Sequence, residues 1–313
     1  MAAGRVLRRW FLSAAAAAAP LVPMTIRPLG IAFTMHVVLR KRSLSGRLLL
    51  AAIGAAFLRR APMRCLSVSR PRHADDAGPG PDPQRTVVRL VTANLWNGAD
   101  DVGAIGEEIG QSDPDIVILQ EITPRHLARL DGLGVFERYR ANAVAPERGH
   151  AGIGIWSRFE IGELEWVDVA GERQLRAWIL TPDGGRLRLY AVHAPAPVPS
   201  KVDRWRSWFE MMARDVRLEM RGHAWPVIVA GDFNATVDHR SFRRLVDAGL
   251  CDAALAAGRG WHMTWSTRWK GIPPLFRIDH VLVRPNLRLD GYRVGRGGGS
   301  DHRPVFVDLS IVG

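Results

Sequence analysis

Hydrophobic positions along this chain follow two different periods, and each period predicts one kind of element. Uninterrupted apolar runs at residues 115–119 and 226–230 predict strands that are buried on both faces. Apolar residues spaced three and four apart predict helices at residues 101–111 and 202–221. The longer helix carries its large apolar side chains on one face, namely Trp205, Trp208, Phe209, Met212 and Val216.

Further strands and helices surround these four elements. The same patterns predict strands at residues 87–93, 152–156, 176–180, 186–192, 278–283 and 304–310, and short helices at residues 124–130 and 241–248. The turn signal Asp183-Gly184-Gly185 joins two of the strands in a hairpin. Strands from both halves of the chain, together with two groups of helices, predict an α/β fold in which a two-sheet sandwich is flanked by helices. The sequence shows no internal repeat.

Charge divides the chain into two parts. Residues 1–73 contain thirteen Arg and Lys and no Asp or Glu, whereas residues 74–313 carry a net charge of −1. The formal charge of +12 therefore belongs to a basic, apolar leader, and bulk charge gives no argument for a nucleic-acid groove in the remainder. Residues 74–85 are rich in Pro, Gly and Asp, which predicts a linker. Residues 86–313 are then long enough for one sizeable domain.

Three interpretations of the leader remain open. Its apolar runs, within residues 10–60, are each shorter or more interrupted than the roughly 20 apolar residues that span a bilayer. The leader is a membrane anchor of one to three poor helices, a cleaved signal or a soluble basic extension. We favour the anchor, which makes the protein membrane-associated with its domain outside the cytoplasm. A soluble extension would instead leave the domain in the cytoplasm.

Polar groups that suit phosphoester chemistry gather where the predicted strands end. Rigid strand ends are where active-site groups commonly lie. Those in the first half of the chain are Asn94, Glu121 and His193. Asp232 and Asn234 follow the buried strand at residues 226–230, Asp279 opens what is predicted to be the penultimate strand, and Asp301 and His302 precede the last one.

Two of these carboxylates predict a metal site. Glu121 and Asp301 supply the hard oxygen ligands that Mg²⁺ or Mn²⁺ prefers, and Asn94 adds a neutral oxygen. Mg²⁺ commonly keeps several waters and takes one or two protein carboxylates, so the set is sufficient.

The remaining groups predict the chemistry of hydrolysis. Asp232 is the candidate that orients or deprotonates the attacking water, and Asn234 is placed to hydrogen-bond the same phosphate. His193 and His302 are candidates for donating to non-bridging phosphate oxygens. Asp279 would pair with one of the two histidines and favour its charged form.

Six motifs in a fixed order resemble the endonuclease/exonuclease/phosphatase (DNase I-like) superfamily. They are Asn94-Leu-Trp-Asn, Gln120-Glu121, Val192-His193-Ala-Pro, Gly231-Asp-Phe-Asn-Ala-Thr, Arg277-Ile-Asp-His-Val and Ser300-Asp-His-Arg-Pro-Val. The resemblance extends over essentially the whole domain and implies a four-layer α/β/β/α sandwich of two mixed sheets. It also implies metal-side roles for Asn94, Glu121 and Asp301, and a pair between Asp279 and His302.

The resemblance implies a divalent-metal-dependent hydrolase of phosphoester bonds but does not name its substrate. We expect a membrane-associated phosphatase or phosphodiesterase acting on lipid-linked or small phosphate esters, because the leader is apolar and the domain is nearly neutral. The alternatives are a DNA or RNA nuclease and, more remotely, a non-catalytic interaction domain. Trp96 stands where apurinic endonucleases carry an acidic residue, which disfavours that branch. The tryptophan-rich segment at residues 261–276 predicts an apolar loop beside the site, with Trp265 in the core.

Overall fold

The computed structural model describes residues 86–268 and 273–311, so the predicted leader and linker lie outside the described residues. Among these residues no helix has the length and apolar character needed to cross a membrane. The strands are β1 Val87–Asn94, β2 Ile116–Gln120, β3 Ala141–Ala145, β4 Ile153–Ser157, β5 Glu160–Val169, β6 Glu172–Leu180, β7 Arg186–His193, β8 Val227–Asp232, β9 Cys251–Asp252, β10 Asp279–Val283, β11 Leu287–Val294 and β12 Val305–Ile311. The helices are α1 Gly103–Ser112, α2 Pro124–Asp131, α3 Val202–Met220, α4 Arg240–Asp247 and α5 Ala253–Ala256, with a 3₁₀ turn at Pro199–Lys201.

The strands form two mixed sheets of six, which confirms the predicted fold class. The first sheet has the order β11-β12-β1-β2-β4-β3 and the second β5-β6-β7-β8-β10-β9. Each has one parallel pair at its centre, β1 with β2 and β7 with β8, and the other neighbouring pairs are antiparallel. A parallel pair requires a crossover connection, and α1 and α3 provide the two crossovers. The two sheets therefore share one pattern of parallel and antiparallel pairs although the sequence shows no repeat.

Three apolar cores hold the layers together. Val88 and Leu90 of β1 belong to the core shared by both sheets, whereas Val91 and Ala93 belong to the core beneath α1 and α2. Strand β8 alternates in the same way between the shared core and the core beneath α3 and α4. Successive side chains point to opposite faces of a strand, so a strand covered on both faces is apolar throughout. This is why the central strands were predicted from uninterrupted apolar runs.

The sequence patterns missed the four edge strands, β3, β5, β9 and β11. An edge strand has one open side and shorter or more polar sequence, which weakens its apolar signal. Strand β5, for example, carries Glu163, Glu165 and Asp168 between its apolar residues. Because β11 follows β10, the prediction that Asp279 opens the penultimate strand was wrong: two strands follow it.

Candidate active site

The ends of the two central parallel pairs meet in one cleft. On the first sheet Asn94 lies opposite Gln120, and on the second Asp232 lies opposite both His193 and Asp279. The sheets are joined at this end because Asn94 Nδ2 donates to Asp232 Oδ2 at 3.0 Å. The cleft has a volume of about 240 Å³. Its lining includes Glu121, His193, Asp232, Asn234, Asp301 and His302 from the predicted set, together with Trp96, His150, Glu172, Lys201 and Trp265.

Unusual backbone conformations gather at this cleft. Trp96, Glu121 and Asn234 have φ values of 52°, 55° and 46°, and they are three of the five non-glycine residues with positive φ in the described part of the chain. Non-glycine residues in the left-handed region store local strain that the surroundings must hold in place. Gly231, at φ 151°, approaches the neighbouring strand so closely that an added Cβ would lie 1.8 Å from Val192 O. The strand end that presents Asp232 therefore requires glycine.

Asn94 connects the two sheets through its amide group. Nδ2 donates to Glu121 Oε1 at 3.1 Å as well as to Asp232, while Oδ1 accepts from Trp96 N at 2.8 Å. The amide orientation follows from this last bond, because a backbone N–H needs an acceptor. Asn94 thus turns its nitrogen, not its oxygen, towards the carboxylates. Its role as a metal ligand stays a prediction, and in this arrangement its amide nitrogen bridges Glu121 and Asp232.

Glu121 and Asp301 are the two predicted metal carboxylates. Burial alone would raise the pKa of Glu121, but His193 and the amide groups of Asn97 and Asn94 outweigh it and hold that pKa below its ordinary value. Asp301 Oδ2 accepts from Trp265 Nε1 at 3.0 Å. Asp301 Oδ1 is buried and has no hydrogen-bond partner among the described residues, and His302 Nε2 lies 3.7 Å from it. A buried carboxylate oxygen that accepts no hydrogen bond fits a cation, so the donor set passes this test.

His302 and Asp279 form a buried ion pair at the cleft. His302 Nδ1 donates to Asp279 Oδ2 at 2.9 Å, and His302 Nε2 lies 3.8 Å from Asp232 Oδ2. Burial opposes the charge on His302, but Asp279 and Asp232 outweigh burial and raise its pKa to about 10. Burial raises the pKa of Asp232 to about 6, with Asp279 adding to the effect and His302 opposing it.

The same three residues also form the one cation-sized cluster of acidic and imidazole groups found in the described chain. Asp232, Asp279 and His302 place one ligand atom each within 4.8 Å of one another. A histidine that binds a metal often donates its other N–H to a carboxylate, as His302 does. A protonated imidazole, however, has no lone pair for a metal, and the raised pKa of His302 favours that form. The charge on His302 therefore favours Glu121 and Asp301 as the metal ligands and His302 as a hydrogen-bond donor.

His193 is fixed at both its backbone and its ring. Gln174 accepts from His193 N at 2.7 Å and donates to His193 O at 3.0 Å. The ring places Nδ1 3.1 Å from His150 O, which leaves Nε2 3.7 Å from Glu121 Oε1 and 3.6 Å from Asp232 Oδ2. The imidazole is thus held between the carboxylates of the two sheets.

Asn234 bonds both Asp232 and the loop after β7. Its backbone N donates to Asp232 Oδ1 at 2.7 Å, and Nδ2 donates to Ala194 O at 2.9 Å and approaches Asp232 Oδ2 at 3.4 Å. The bonds to Asp232 orient its carboxylate. Contact between Asn234 and a phosphate stays a prediction.

Four residues with clear roles at the site had no predicted role there. Asn97 donates to Glu121 from both its backbone and its side chain, and Ser300 Oγ donates to Asn94 O at 2.7 Å. Both lie inside predicted motifs, which was the available signal. Gln174 is buried but lies in the polar start of β6, beside Arg173, so no local pattern indicated it. Trp265 was expected in the core, but it lines the cleft and bonds Asp301.

Comparison with known proteins agrees with this architecture. The profile of the Endonuclease/Exonuclease/phosphatase family matches residues 91–302, and the chain belongs to this family. Members of the family are phosphoester hydrolases that usually use a divalent metal, and the chain has their hydrolase fold. A search of curated proteins found no match.

Solved structures show the same fold at low sequence identity. Truncated TDP2 from Caenorhabditis elegans is 19% identical, with a TM-score of 0.61 over 71% of this chain and 97% of that one. TDP2 from D. rerio, complexed with single-strand DNA product, is 18% identical, with a TM-score of 0.59 over 72% and 99%. A mannosyl-6-phosphatase from Bacteroides thetaiotaomicron is 19% identical, with a TM-score of 0.56 over 71% and 99%. At these identities the likeness concerns the fold alone.

Proposed function

We propose that the protein is a divalent-metal-dependent hydrolase of phosphoester bonds whose cleft lies between the ends of the two sheets. The observation that carries the proposal is the gathering of carboxylates and imidazoles in one cleft. Glu121 and Asp301 supply carboxylate oxygens, including the buried Asp301 Oδ1, which accepts no hydrogen bond. Asp232 and the charged pair of His302 with Asp279 lie beside them, with His302 Nε2 3.7 Å from Asp301 Oδ1 and 3.8 Å from Asp232 Oδ2. Family membership supports the same reaction class.

Glu121 and Asp301 would hold the cation, Mg²⁺ or Mn²⁺, with Asn94 as the predicted third member. When bound, the ion would supply Lewis-acid stabilisation of the negative charge on the phosphoryl oxygens. Trp265 Nε1 and the amide groups of Asn97 hold the two carboxylates in place through Oδ2 and Oε2. The Asn94 amide nitrogen donates to both Glu121 and Asp232 and so fixes their positions relative to one another.

Asp232 and His302 would carry out the proton chemistry. A base works best when its pKa is near the working pH, and burial raises the pKa of Asp232 to about 6. Its carboxylate, oriented by Asn234 N, would accept the proton of the attacking water at Oδ2. His302, kept protonated by Asp279, would donate from Nε2 to a phosphoryl oxygen, where a preorganised donor stabilises developing charge.

For the substrate we propose lipid-linked or small phosphate esters, and for the location a membrane-associated protein with an extracytoplasmic domain. The support is the basic, apolar leader and the near-neutral remainder of the chain. Two relatives by fold span the alternatives: one is described as a mannosyl-6-phosphatase and another as a complex with single-strand DNA product. Nucleic acid is therefore the competing substrate class that the experiment must address.

The decisive experiment compares substrate classes with the purified full chain in detergent. Turnover of p-nitrophenyl phosphate, bis-p-nitrophenyl phosphate, a prenyl pyrophosphate and plasmid DNA is measured with Mg²⁺, with Mn²⁺ and with EDTA. We expect hydrolysis of the small or lipid-linked esters that EDTA abolishes and Mg²⁺ restores. Rapid plasmid nicking at low enzyme concentration would support the nuclease instead.

Two controls separate the parts of this proposal. Full activity in EDTA would reject the metal requirement while leaving the reaction class intact. Fractionation of cells that express the full chain tests the location independently of activity: recovery in the soluble fraction would reject the membrane anchor.

A further inference from the structure

The motif Arg277-Ile-Asp-His contains two residues that the proposed chemistry does not use. Asp279 points to His302, but Arg277 and the next strand residue, His280, are buried with 3% and 1% of their surface exposed. Successive residues of a strand face opposite sides, so Asp279 and His280 serve different sides of β10. The His280 side chain contacts the backbone of the loop that carries Asp232 and Asn234.

His280 belongs to a buried network of three ionisable side chains. Asp252 Oδ2 lies 2.7 Å from His280 Nδ1 and 2.8 Å from Arg277 Nη1. The other oxygen, Oδ1, accepts from Arg277 Nη1 at 3.0 Å and from Leu255 N at 2.9 Å, at the start of α5. Arg277 Nη1 also lies 2.8 Å from His280 Nδ1, so Arg277 links the Asp252 carboxylate to the imidazole, and the network fixes His280 from its Nδ1 side.

The opposite edge of the His280 ring reaches the catalytic loop. His280 Nε2 lies 2.9 Å from Ala235 O, and because a carbonyl only accepts, Nε2 carries the proton. The preceding carbonyl, Asn234 O, accepts from Trp205 Nε1 at 3.2 Å. Two consecutive carbonyls of the loop are thus held by buried ring N–H groups. One of these carbonyls belongs to Asn234, whose backbone has the left-handed conformation that needs such support.

We propose that His280, fixed by Asp252 and Arg277, is a positioning residue that holds the Asp232–Asn234 loop through the Ala235 carbonyl. It does not contact substrate. Its effect passes through the backbone of Asn234, whose N–H orients the Asp232 carboxylate at 2.7 Å. This inference rests on the proposed function for its kinetic consequence, although the loop geometry that it predicts does not depend on any activity.

Two substitutions at one position separate positioning from packing. A glutamine at this position places an N–H near the former Nε2, whereas an asparagine places its amide near Nδ1 and leaves Ala235 O without a donor. In the full chain we expect His280→Asn to lower kcat for p-nitrophenyl phosphate by about 100-fold with little change in KM, because a displacement of about 1 Å at a reacting group has that effect. His280→Gln should keep most of the activity.

Leu289→Ala is the matched control for lost stability. Leu289 is fully buried in the core between the sheets, on β11 and away from the loop. Its truncation should lower the unfolding temperature yet leave kcat unchanged. A loss in His280→Asn no greater than in this control, or equal losses in the Asn and Gln variants, would overturn the positioning role.

Crystal structures of the two His280 variants give a readout that needs no turnover. Asn234 should leave the left-handed conformation in His280→Asn and keep it in His280→Gln; an unmoved loop in both overturns the inference. If the wild-type chain hydrolyses no phosphate ester, the proposed function fails and this readout alone decides. Should His280→Asn not fold, Trp205→Phe removes the neighbouring donor: a lowered kcat supports the role of the loop carbonyls, and an unchanged kcat overturns it.

Discussion

The two sheets have the same pattern of strand pairing around a central parallel pair, yet they bring different chemistry to the cleft. The first sheet ends in Asn94 and Glu121, which offer an amide and an ionised carboxylate, and the loop before its strand β12 adds Asp301 and His302. The second ends in His193 and Asp232, and β10 adds Asp279 beside them. The proposed metal ligands thus come from the first sheet, and the proposed base comes from the second. The shared topology supplies the place, and the residues at the strand ends supply the function.

The support beneath the two strand ends differs as well. The loop after β8 rests on buried ring N–H groups of Trp205 and His280 and on the buried pair of Asp252 with Arg277. The loop after β1 also rests on a buried ring, since His126 Nε2 lies 3.2 Å from Ala99 O, but its ion pair, Asp101 with Arg129, is exposed. The two loops therefore differ in the burial of their ion pairs.

The largest effect on activity should come from removing the proposed base, which tests the role assigned to the second sheet. Asp232→Asn keeps the shape of the side chain but cannot accept a proton, so we expect kcat to fall by about 100- to 10,000-fold. Circular dichroism should show an intact fold, and the Mg²⁺ concentration for half-maximal activity should stay close to that of the wild type. Substantial retained turnover would contradict the assignment of Asp232 as the base.

The wild-type pH profile sharpens the same assignment. A base is active when deprotonated, so kcat/KM should rise with pH through about 6, the raised pKa of Asp232. A rate that is flat between pH 5 and 7 contradicts an Asp232 base with this pKa.

The buried pair should matter more for stability than its exposed counterpart. Removing one partner of a buried ion pair costs about 3–5 kcal/mol, and we expect Asp252→Asn to lower the free energy of unfolding at pH 7 by this amount. Asp101→Asn is the matched control and should have a much smaller effect, because both members of the Asp101–Arg129 pair are exposed. Equal losses in urea titrations would show that the two loops are supported alike.

The effect of Asp252 should depend on pH with a definite sign. Burial raises its pKa, but Arg277 and His280 outweigh burial and hold it below the ordinary value. A carboxyl with a depressed folded-state pKa stabilises the fold above its unfolded pKa of about 3.9 and loses that contribution as pH falls further. The gap in unfolding free energy between wild type and Asp252→Asn should therefore narrow below about pH 4. A gap that stays constant from pH 7 to pH 3 contradicts the ionised pair.

Loss of a proposed metal ligand should raise the metal concentration that activity requires. Glu121→Gln keeps the size of the side chain but removes its charge and replaces one accepting oxygen with an NH2 donor, and we expect the Mg²⁺ concentration for half-maximal activity to rise by about 10- to 100-fold. Titration of activity with Mg²⁺ measures this directly. An unchanged metal requirement with a lowered kcat would contradict the assignment of Glu121 as a metal ligand.

The smallest expected effect concerns the support of Asp301. Trp265→Phe keeps the ring but removes the Nε1 donor to Asp301 Oδ2, so the carboxylate loses one of its restraints. We expect a rise of about 10-fold in the Mg²⁺ requirement, at the lower end of the range for groups that orient a ligand. A fall in kcat with no change in the metal requirement would contradict the supporting role.

Much of the fold was predictable because the central strands are covered on both faces. Apolar runs such as residues 226–230 have no alternative location, so their sequence alone indicates a buried strand. The four edge strands were missed because an edge is defined by the absence of a neighbour, which local sequence does not encode. The common pairing pattern of the two sheets could not be predicted for a related reason. It is a property of which strands pair, and the two sheets form it with different side chains.

The candidate site was predicted as a set of residues but not as an arrangement. Motif order indicated eight residues; six of them line one cleft, and Asn94 and Asp279 hydrogen-bond to Asp232 and His302 of that lining. Their orientations required coordinates: Asn94 presents its nitrogen to the carboxylates, and Asn234 bonds Ala194 O in the loop after β7. Some of the residues that hold them, such as Gln174 and Trp265, lie outside the motifs, 19 residues from His193 and 36 from Asp301.

The sequence by itself determined which strands are buried, where polar groups follow them and to which superfamily their order is similar. Those features are local, because periodicity and motif spacing are written along the chain. Only the tertiary structure decided which carboxylate faces which amide, which ring N–H supports which carbonyl and why Asp232 has a raised pKa. Those features depend on burial and on partners more than a hundred residues away, as the Asn94–Asp232 bond shows, and no local pattern records them.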